Sequence, residues 1–406
     1  MKNKTNPWQK AGCLKMKKKK IIFVHLALWI GGIETALVNM LNRMDYEKYD
    51  VTCLITSDYQ EMAGHITPKC RLLIADRGHC VSFQQKYPYD RVFRLMEKPG
   101  SETPLRMLRY RAAQSLRGWE NARYIDYIRG LLQEEHFDTA IAFSGKVNEL
   151  TVRAIRADRY LSFYHYSDLR RVYHDEIGYK KSARIFAVSD RLTQRLREYL
   201  PAHRDKIEPL PNLTDIDSIR RRSSEACPLE FPEDRFHIVS CGRLVGDKGF
   251  DLAIQACAQL VGKGHTSILW TIVGEGPERS QLQALVKELG MEEHVRFAGQ
   301  QSNPYAIMKA GDMFVQSSRI EAFGLTIIEA MIVGTPVIST RTDGGLELLG
   351  DEQFGLLCDA AVPSIADAVE KMLRDPQLRQ QFAARLAQRD FDSMNRAIMQ
   401  RLYEVL

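Results

Sequence analysis

The sequence predicts an α/β protein made of two Rossmann-like, doubly wound domains that face each other across a cleft. Three observations carry this expectation. The 406 residues are too many for one domain of about 100–200 residues. Short apolar runs alternate with helical patterns, the mark of βαβ units and parallel sheets. The alternation stops at Glu208-Pro-Leu-Pro-Asn212 and then restarts; the paired prolines cannot continue a helix and make a stiff hinge.

In the first half, strands are expected at Ile21–Leu26, Val51–Thr56, Arg71–Ala75, 138–143, 160–165 and 184–188. Between them lies a helix at Gly32–Arg43 with Ile33, Ala36, Leu37 and Met40 on one face, followed by helices near 104–118, 120–135 and 189–199. In the second half, the strands are His237–Cys241, Ser267–Val273, 294–297, 312–316 and 336–340, with helices at Phe250–Leu260, Pro277–Leu289, 303–310 and 325–333. A helical tail from about 364 to 406 is expected to pack back across the junction. The division is therefore a basic extension (1–17), an N-terminal domain (18–208), a C-terminal domain (209–385) and a final helix (386–406) returning to the first domain.

With 45% hydrophobic and 27% charged residues, the chain has an ordinary globular composition, which excludes wholesale disorder, a collagen repeat or a disulfide mini-fold. The net charge of +6 is local: residues 1–20 hold eight lysines and no acid, leaving 49 bases against 51 acids elsewhere. Such a tail is not a nucleic-acid-binding face. The eight cysteines form no C-x-x-C pair, which suits a reducing compartment and no structural metal. Met16-Lys-Lys-Lys-Lys20 before Ile21–Ile30 has the look of a secretory leader, and Met16 offers a second start. However, His25 interrupts the run and Gly31-Gly32 ends it after ten residues, where a span needs about 20. A cytoplasmic protein is expected, with the inner face of the membrane as an alternative address.

The chemistry concentrates at strand ends. In Ser317-Ser-Arg-Ile-Glu-Ala-Phe-Gly-Leu-Thr-Ile-Ile-Glu-Ala-Met, a polar loop carries Glu321, Gly324 permits a tight turn, and the first amides of the next helix, near Leu325 and Thr326, can bind an anion. Glu329 sits one turn into that apolar helix and needs partners or a shifted pKa. Two ribose hydroxyls or a nearby Arg would serve. In Cys241-Gly-Arg-Leu-Val-Gly-Asp-Lys-Gly249, Arg243 and Lys248 suit a diphosphate, or else form a solvated basic turn. The loop is not a Walker A sequence. Gly274-Glu-Gly-Pro277 reads as a turn at the cleft rim. Gly31 and Gly32 open a helix after the first strand, either as a ligand approach or as a simple turn. The D-x-D triplets Asp215-Ile-Asp217 and Asp390-Phe-Asp392 read as a helix cap and part of the tail helix, not as a metal–diphosphate site.

Together these pieces resemble the retaining glycosyltransferases of family 4, with the GT-B fold. The resemblance rests on Glu321 and Glu329 with seven residues between them, Gly242-Arg243 with Lys248-Gly249, Gly274-Glu-Gly-Pro, Gly31-Gly32-Ile-Glu34, Pro211-Asn212 and Thr335-Pro-Val-Ile. It covers about residues 18–360 and is strongest over 236–357. It implies that Arg243 and Lys248 hold a donor diphosphate, that Glu329 holds the nucleotide ribose, and that Glu321 meets the transferred sugar. Ala322, Phe323, Gly324, Leu325 and Thr326 would line the sugar and phosphate, with Gly31, Gly32 and Gly274 at the donor site. His165 in Ser162-Phe-Tyr-His-Tyr-Ser-Asp168 would be the N-domain histidine near the donor sugar and join Glu321, Arg243 and Lys248 as catalytic. Ala322 replaces the usual glycine, adding a Cβ near the sugar. The co-substrate implied is a nucleoside-diphosphate sugar, UDP-linked rather than GDP-linked, with no metal or other cofactor.

The acceptor implied is a glycan or a lipid-linked glycan of surface polysaccharide synthesis, meeting the N-terminal domain. Pro104–Trp119, with Leu105, Leu108, Ala112, Leu116 and Trp119 at helical spacing among Arg106, Arg109, Arg111 and Arg117, would suit an anionic membrane surface or equally pack as an ordinary surface helix. Two other functions share the fold: a nucleotide-sugar epimerase or phosphorylase, and a silent nucleotide-sugar-binding scaffold.

Overall fold

The computed structural model describes residues 17–75, 122–169, 176–350 and 352–406. The lysines before residue 17 and the 104–119 segment lie outside these residues. Seven parallel strands form the first sheet: β1 (Lys19–His25), β2 (Tyr49–Ile55), β3 (Arg71–Ile74), β4 (His136–Ala142), β5 (Arg156–Tyr164), β6 (Arg184–Ala187) and β7 (Ile207–Pro209). Their order is β3-β2-β1-β4-β5-β6-β7. The second sheet holds β8 (Phe236–Cys241), β9 (Ile268–Val273), β10 (Val295–Gly299), β11 (Met313–Gln316), β12 (Val337–Thr340) and β13 (Gly355–Cys358), ordered β10-β9-β8-β11-β12-β13. In both, the strand order reverses beside the first strand, and such a switch point leaves a crevice at the carboxyl ends where ligands bind.

The local reason for these strands is burial on both faces, which parallel sheets require. Ile21 and Phe23 enter one apolar cluster with the helix Gly32–Arg43, while Ile22 and Val24 enter another beneath Tyr124 and Ile128. In the second sheet, Ile238 packs with the helix Phe250–Gly262 and Val239 with the helix Leu325–Ile332.

Several sequence expectations need correction. The helix expected to 135 ends at 131, because Gln133 and Glu134 adopt positive φ (50° and 56°). The hinge begins as a strand, since Ile207–Pro209 pairs with β6. The helices Asn148–Ala154, Glu176–Lys181 and Asp343–Leu349 and the strand β13 are too short to leave a clear period. The tail is three helices, Val362–Arg374, Pro376–Gln388 and Phe391–Val405, and they do not act together. Ile365, Val369 and Phe382 complete the second domain's core.

The last helix instead delivers Ile398, Met399 and Leu402 to the core of the first sheet. There the Tyr403 ring stacks on Tyr49 with centroids 5.4 Å apart, and its hydroxyl donates to the Arg43 carbonyl at 3.1 Å. Asn395 brackets the hinge by donating to the Thr214 carbonyl at 2.6 Å and accepting its N–H at 3.3 Å. The apolar cluster that holds Val239 also joins the domains, with Tyr164, Leu192 and Leu196 of the first and Phe314, Phe323 and Ile327 of the second.

Candidate active site between the two sheets

The carboxyl end of β8 continues into Gly242–Gly249 and that of β11 into Ser317–Gly324. As neighbours in the sheet, they converge into one cradle. Arg319 binds them together: its guanidinium donates to both Asp251 oxygens at 2.7 and 2.6 Å and to the Gly246 carbonyl at 3.0 Å. Its own amide donates to the Asp247 carbonyl at 2.8 Å. Gly249 is required here, because a Cβ would lie 2.2 Å from the Ser317 carbonyl oxygen and its φ is +62°.

Across this junction the Lys248 ammonium pairs with the Glu321 carboxylate. Both side chains are mostly sheltered, 25% and 14% exposed. Arg243 is exposed and in no ion pair among the described residues. Among the described residues the cradle therefore presents Arg243 outside any ion pair, with Lys248 and Arg319 each held by a carboxylate. Gly274 places its backbone against the Gly242 carbonyl, so it shapes the floor under Arg243.

Gly324, at φ +86°, precedes the helix Leu325–Ile332. That left-handed turn aims the first helical amides at the loop, where they favour an anion. The Thr326 hydroxyl is engaged by Gln316 Oε1 at 2.9 Å. Ala322 and Phe323 are buried in the cluster that joins the domains. Gly32 comes from the opposite sheet to meet this helix: a Cβ on it would lie 3.4 Å from Leu325 Cδ1.

Glu329 is 8% exposed. Burial pushes its carboxyl up to about 8, against the opposing pull of the Tyr305 hydroxyl and the Arg222 guanidinium. Arg222 lies over the Tyr305 ring at 5.1 Å. A nearby Arg was among the sequence expectations for Glu329, but neither its identity nor Tyr305 was legible there. The three consecutive arginines at 220–222 were the available signal, but nothing local shows which of them turns towards Glu329.

His165 follows β5 on the first sheet. It packs against Phe143 (4.9 Å between centroids) and Phe163 (5.8 Å, stacked). Burial, with His25 nearby, takes its ring down to about 3, so it is a neutral imidazole at ordinary pH. It can hydrogen-bond a hydroxyl, but it is not tuned as a general acid. His25 Nε2 lies 3.4 Å from Glu34 Oε1.

Two further contacts link the cradle to the first domain. The Gly344 amide donates to the Glu321 carbonyl at 3.0 Å, and Asp343 beside it pairs with Arg195. The Glu347 carboxyl is pushed up by burial and meets the backbone of Asp190 and Arg191. A cavity of ≈ 600 Å³ lined by Arg129, His136, Arg153 and Arg156 opens at the amino ends of β4 and β5, the opposite edge of the sheet. Among the described residues there is no group of three or more His, Cys, Asp or Glu that could hold a metal, and no helix is long and apolar enough to cross a membrane. Asp215 and Asp390 each cap a helix, accepting from Ser218 N at 3.2 Å and Ser393 N at 2.8 Å.

Comparison with known proteins agrees with this geometry. Residues 223–389 match the family model described as "Glycosyl transferases group 1". The chain is 33% identical over 219 residues to the lipopolysaccharide core biosynthesis glycosyltransferase LpsD of Rhizobium meliloti, covering 52% of this chain and 60% of that protein. It is 35% identical over 179 residues to the N-acetylgalactosamine-N,N'-diacetylbacillosaminyl-diphospho-undecaprenol 4-alpha-N-acetylgalactosaminyltransferase of Campylobacter jejuni, covering 44% and 47%. The chain thus spans about half the length of the curated relatives it matches. The crystal structure of Anabaena HepE in complex with UDP and glucose shares the fold, with a TM-score of 0.69 at 18% identity, over 95% of this chain and 99% of that one. The C-terminal region, residues 223–389, thus matches the group 1 glycosyl transferases, and the paired parallel sheets share their fold with the solved structure of HepE.

Proposed function

We propose that the protein is a retaining glycosyltransferase that moves a sugar from a nucleoside-diphosphate donor, UDP-linked by preference, to a glycan or lipid-linked glycan in surface polysaccharide synthesis. The observation that carries this is the meeting of Lys248, Glu321 and the Leu325 helix start in one cradle, with Glu329 one turn below. The lipopolysaccharide and diphospho-undecaprenol relatives support the acceptor class.

In this reading the donor's anomeric bond breaks through an oxocarbenium-like state, and negative charge grows on the leaving phosphate. Arg243, Lys248 and the amides of Leu325 and Thr326 stabilise that charge, and preorganised donors of this kind lower the barrier most when water is excluded. With cations and amides in that role, no metal is required. Arrival of the diphosphate draws Lys248 from Glu321 and frees that carboxylate for the sugar hydroxyls. The acceptor hydroxyl attacks from the face the phosphate leaves, and the phosphate takes its proton. Neutral His165 hydrogen-bonds the donor sugar from the first domain, and Glu329 accepts the ribose hydroxyls.

The test is thermal stabilisation by UDP, GDP and ADP, with and without EDTA, in wild type and Glu329→Ala. Ligand at about 100 times its Kd adds about 2.7 kcal/mol. The reading expects UDP to stabilise the wild type, EDTA to change nothing and Glu329→Ala to lose the effect. Stabilisation that needs a divalent cation refutes the metal-free mechanism, and no stabilisation by any nucleotide refutes the donor site.

A further inference from the structure

The loop after β1 carries large apolar side chains at the surface. Trp29 is 38% exposed, Ile30 64% and Tyr59, from the loop after β2, 38%. The two rings are held together: the centroids of Trp29 and Tyr59 lie 5.1 Å apart at 49°. The backbone fixes them there. Leu28 N–H donates to the Tyr59 carbonyl at 2.9 Å, and Met62 N–H returns to the Leu28 carbonyl at 3.0 Å. Exposed aromatic rings with this much built support are unusual on a monomer surface and mark a contact site.

The position of the platform points to its occupant. Trp29 and Ile30 run directly into Gly31-Gly32, and Gly32 is the residue that meets Leu325 across the junction. The loops beside the rings, Leu26–Ile33 and Thr56–Ala63, contain no Lys or Arg, and the Glu61 carboxylate lies next to Ile30. Glu61 Oε2 accepts the Ile30 amide at 3.2 Å. Carboxylates repel phosphate and anionic lipid but accept hydrogen bonds from neutral hydroxyls. On the other side of β1, the same edge carries Ser144 and Asn148, buried at 1% and 0% exposure. Ser144 Oγ and both ends of the Asn148 amide lack a hydrogen-bond partner among the described residues, which in a finished fold calls for water or a ligand to complete them.

We propose that Trp29 and Tyr59, flanked by Ile30, form the platform on which a neutral pyranose ring of the acceptor stacks. The ring's C–H face lies on the aromatic pair, and its hydroxyls turn to the Glu61 side of the rim. The inference rests on the glycosyltransferase reading for the position of the donor, and it assigns the acceptor class at the mouth of that same cleft. The aromatic pair recognises the sugar by shape and apolar area, and the Glu61 carboxylate disfavours an anionic competitor.

The experiment uses the full chain with UDP and, as probes, the methyl glycosides of glucose, galactose and N-acetylglucosamine, read by saturation-transfer difference NMR. Thermal stabilisation by UDP is measured alongside. The wild type should saturate the ring C–H protons of at least one glycoside. Trp29→Ala should weaken that binding about tenfold, the scale of one lost aromatic contact, while UDP stabilises both proteins equally. Trp29→Phe should keep most of the binding, and Tyr59→Ala should reproduce the loss. Equal glycoside binding in wild type and Trp29→Ala overturns the proposal, as does the absence of any glycoside signal in a protein that UDP stabilises. Sedimentation with phosphatidylglycerol vesicles that depends on Trp29 also overturns it, by making the patch a membrane contact. Failure of UDP to stabilise the wild type refutes the donor reading alone, because Trp29-dependent glycoside binding would still stand.

Discussion

The two sheets share one strand order, three strands on one side of the switch point and the rest on the other, yet their equivalent loops differ in kind. After β8, the loop holds Arg243 and Lys248 and is clamped by Arg319. After β1, the loop holds Trp29 and Ile30, without a cation. The same topology makes two crevices, and a few loop residues give one of them cations and the other aromatic and aliphatic side chains. Fold and chemistry are separable here, as expected when function is set by sites placed on a common frame.

The largest effect should come from breaking the cationic side. Lys248→Ala removes the charge that the proposed mechanism sets against the leaving phosphate, and it leaves Glu321 sheltered without its partner. Turnover of a UDP-sugar should fall about 100- to 1,000-fold, measured as released UDP; a loss under about threefold would remove Lys248 from the mechanism.

Glu329→Gln sharpens the comparison through pH. The folded carboxyl is raised from 4.5 to about 8, so the fold disfavours its ionisation. Its contribution to stability is intact below 4.5 and is lost as pH rises through about 8. The Gln variant should therefore unfold at higher urea than wild type at pH 9, by about 1–3 kcal/mol, and match it at pH 4. The same variant should bind UDP more weakly, which separates a functional carboxylate from a structural one.

Gly324→Ala tests the turn that aims the helix. With φ at +86° and a Cβ 2.7 Å from Ile327 Cδ1, the substitution should cost about 1–2 kcal/mol by urea denaturation and weaken UDP binding with it. Unchanged UDP affinity would show that the helix start does not touch the phosphate. The smallest effect belongs to the link between the domains. Arg195 is 44% exposed in its pair with Asp343, and solvent screening limits Arg195→Ala to about 0.2–1 kcal/mol of stability. A measurable drop in UDP affinity would still follow if this pair holds the Glu321–Gly324 loop against the first domain.

Much of the frame was legible locally. The helix Gly32–Arg43 has the bounds its pattern predicts, because Gly31 stands before it and its apolar stripe faces one side. Strands such as Ile21–Val24 announce themselves by continuous apolar residues. Ile207–Pro209 and Gly355–Cys358 do not: they are a few residues long and become strands only because a neighbouring edge offers them hydrogen bonds. Asn148–Ala154 escapes for the same reason of length.

The sequence by itself determined the two-domain alternation, the strand-end positions of Glu321, Arg243 and Lys248, and the place of Glu329 one turn into the next helix, because periodicity and loop placement are short-range properties of the chain. Only the tertiary structure decided that Lys248 would meet Glu321, 73 residues away, that Glu329 would be buried beside Tyr305 and Arg222, and that Trp29 would lie against Tyr59. Ion pairing, desolvation and ring stacking depend on distances that close only when the sheets pack, and no local pattern encodes them.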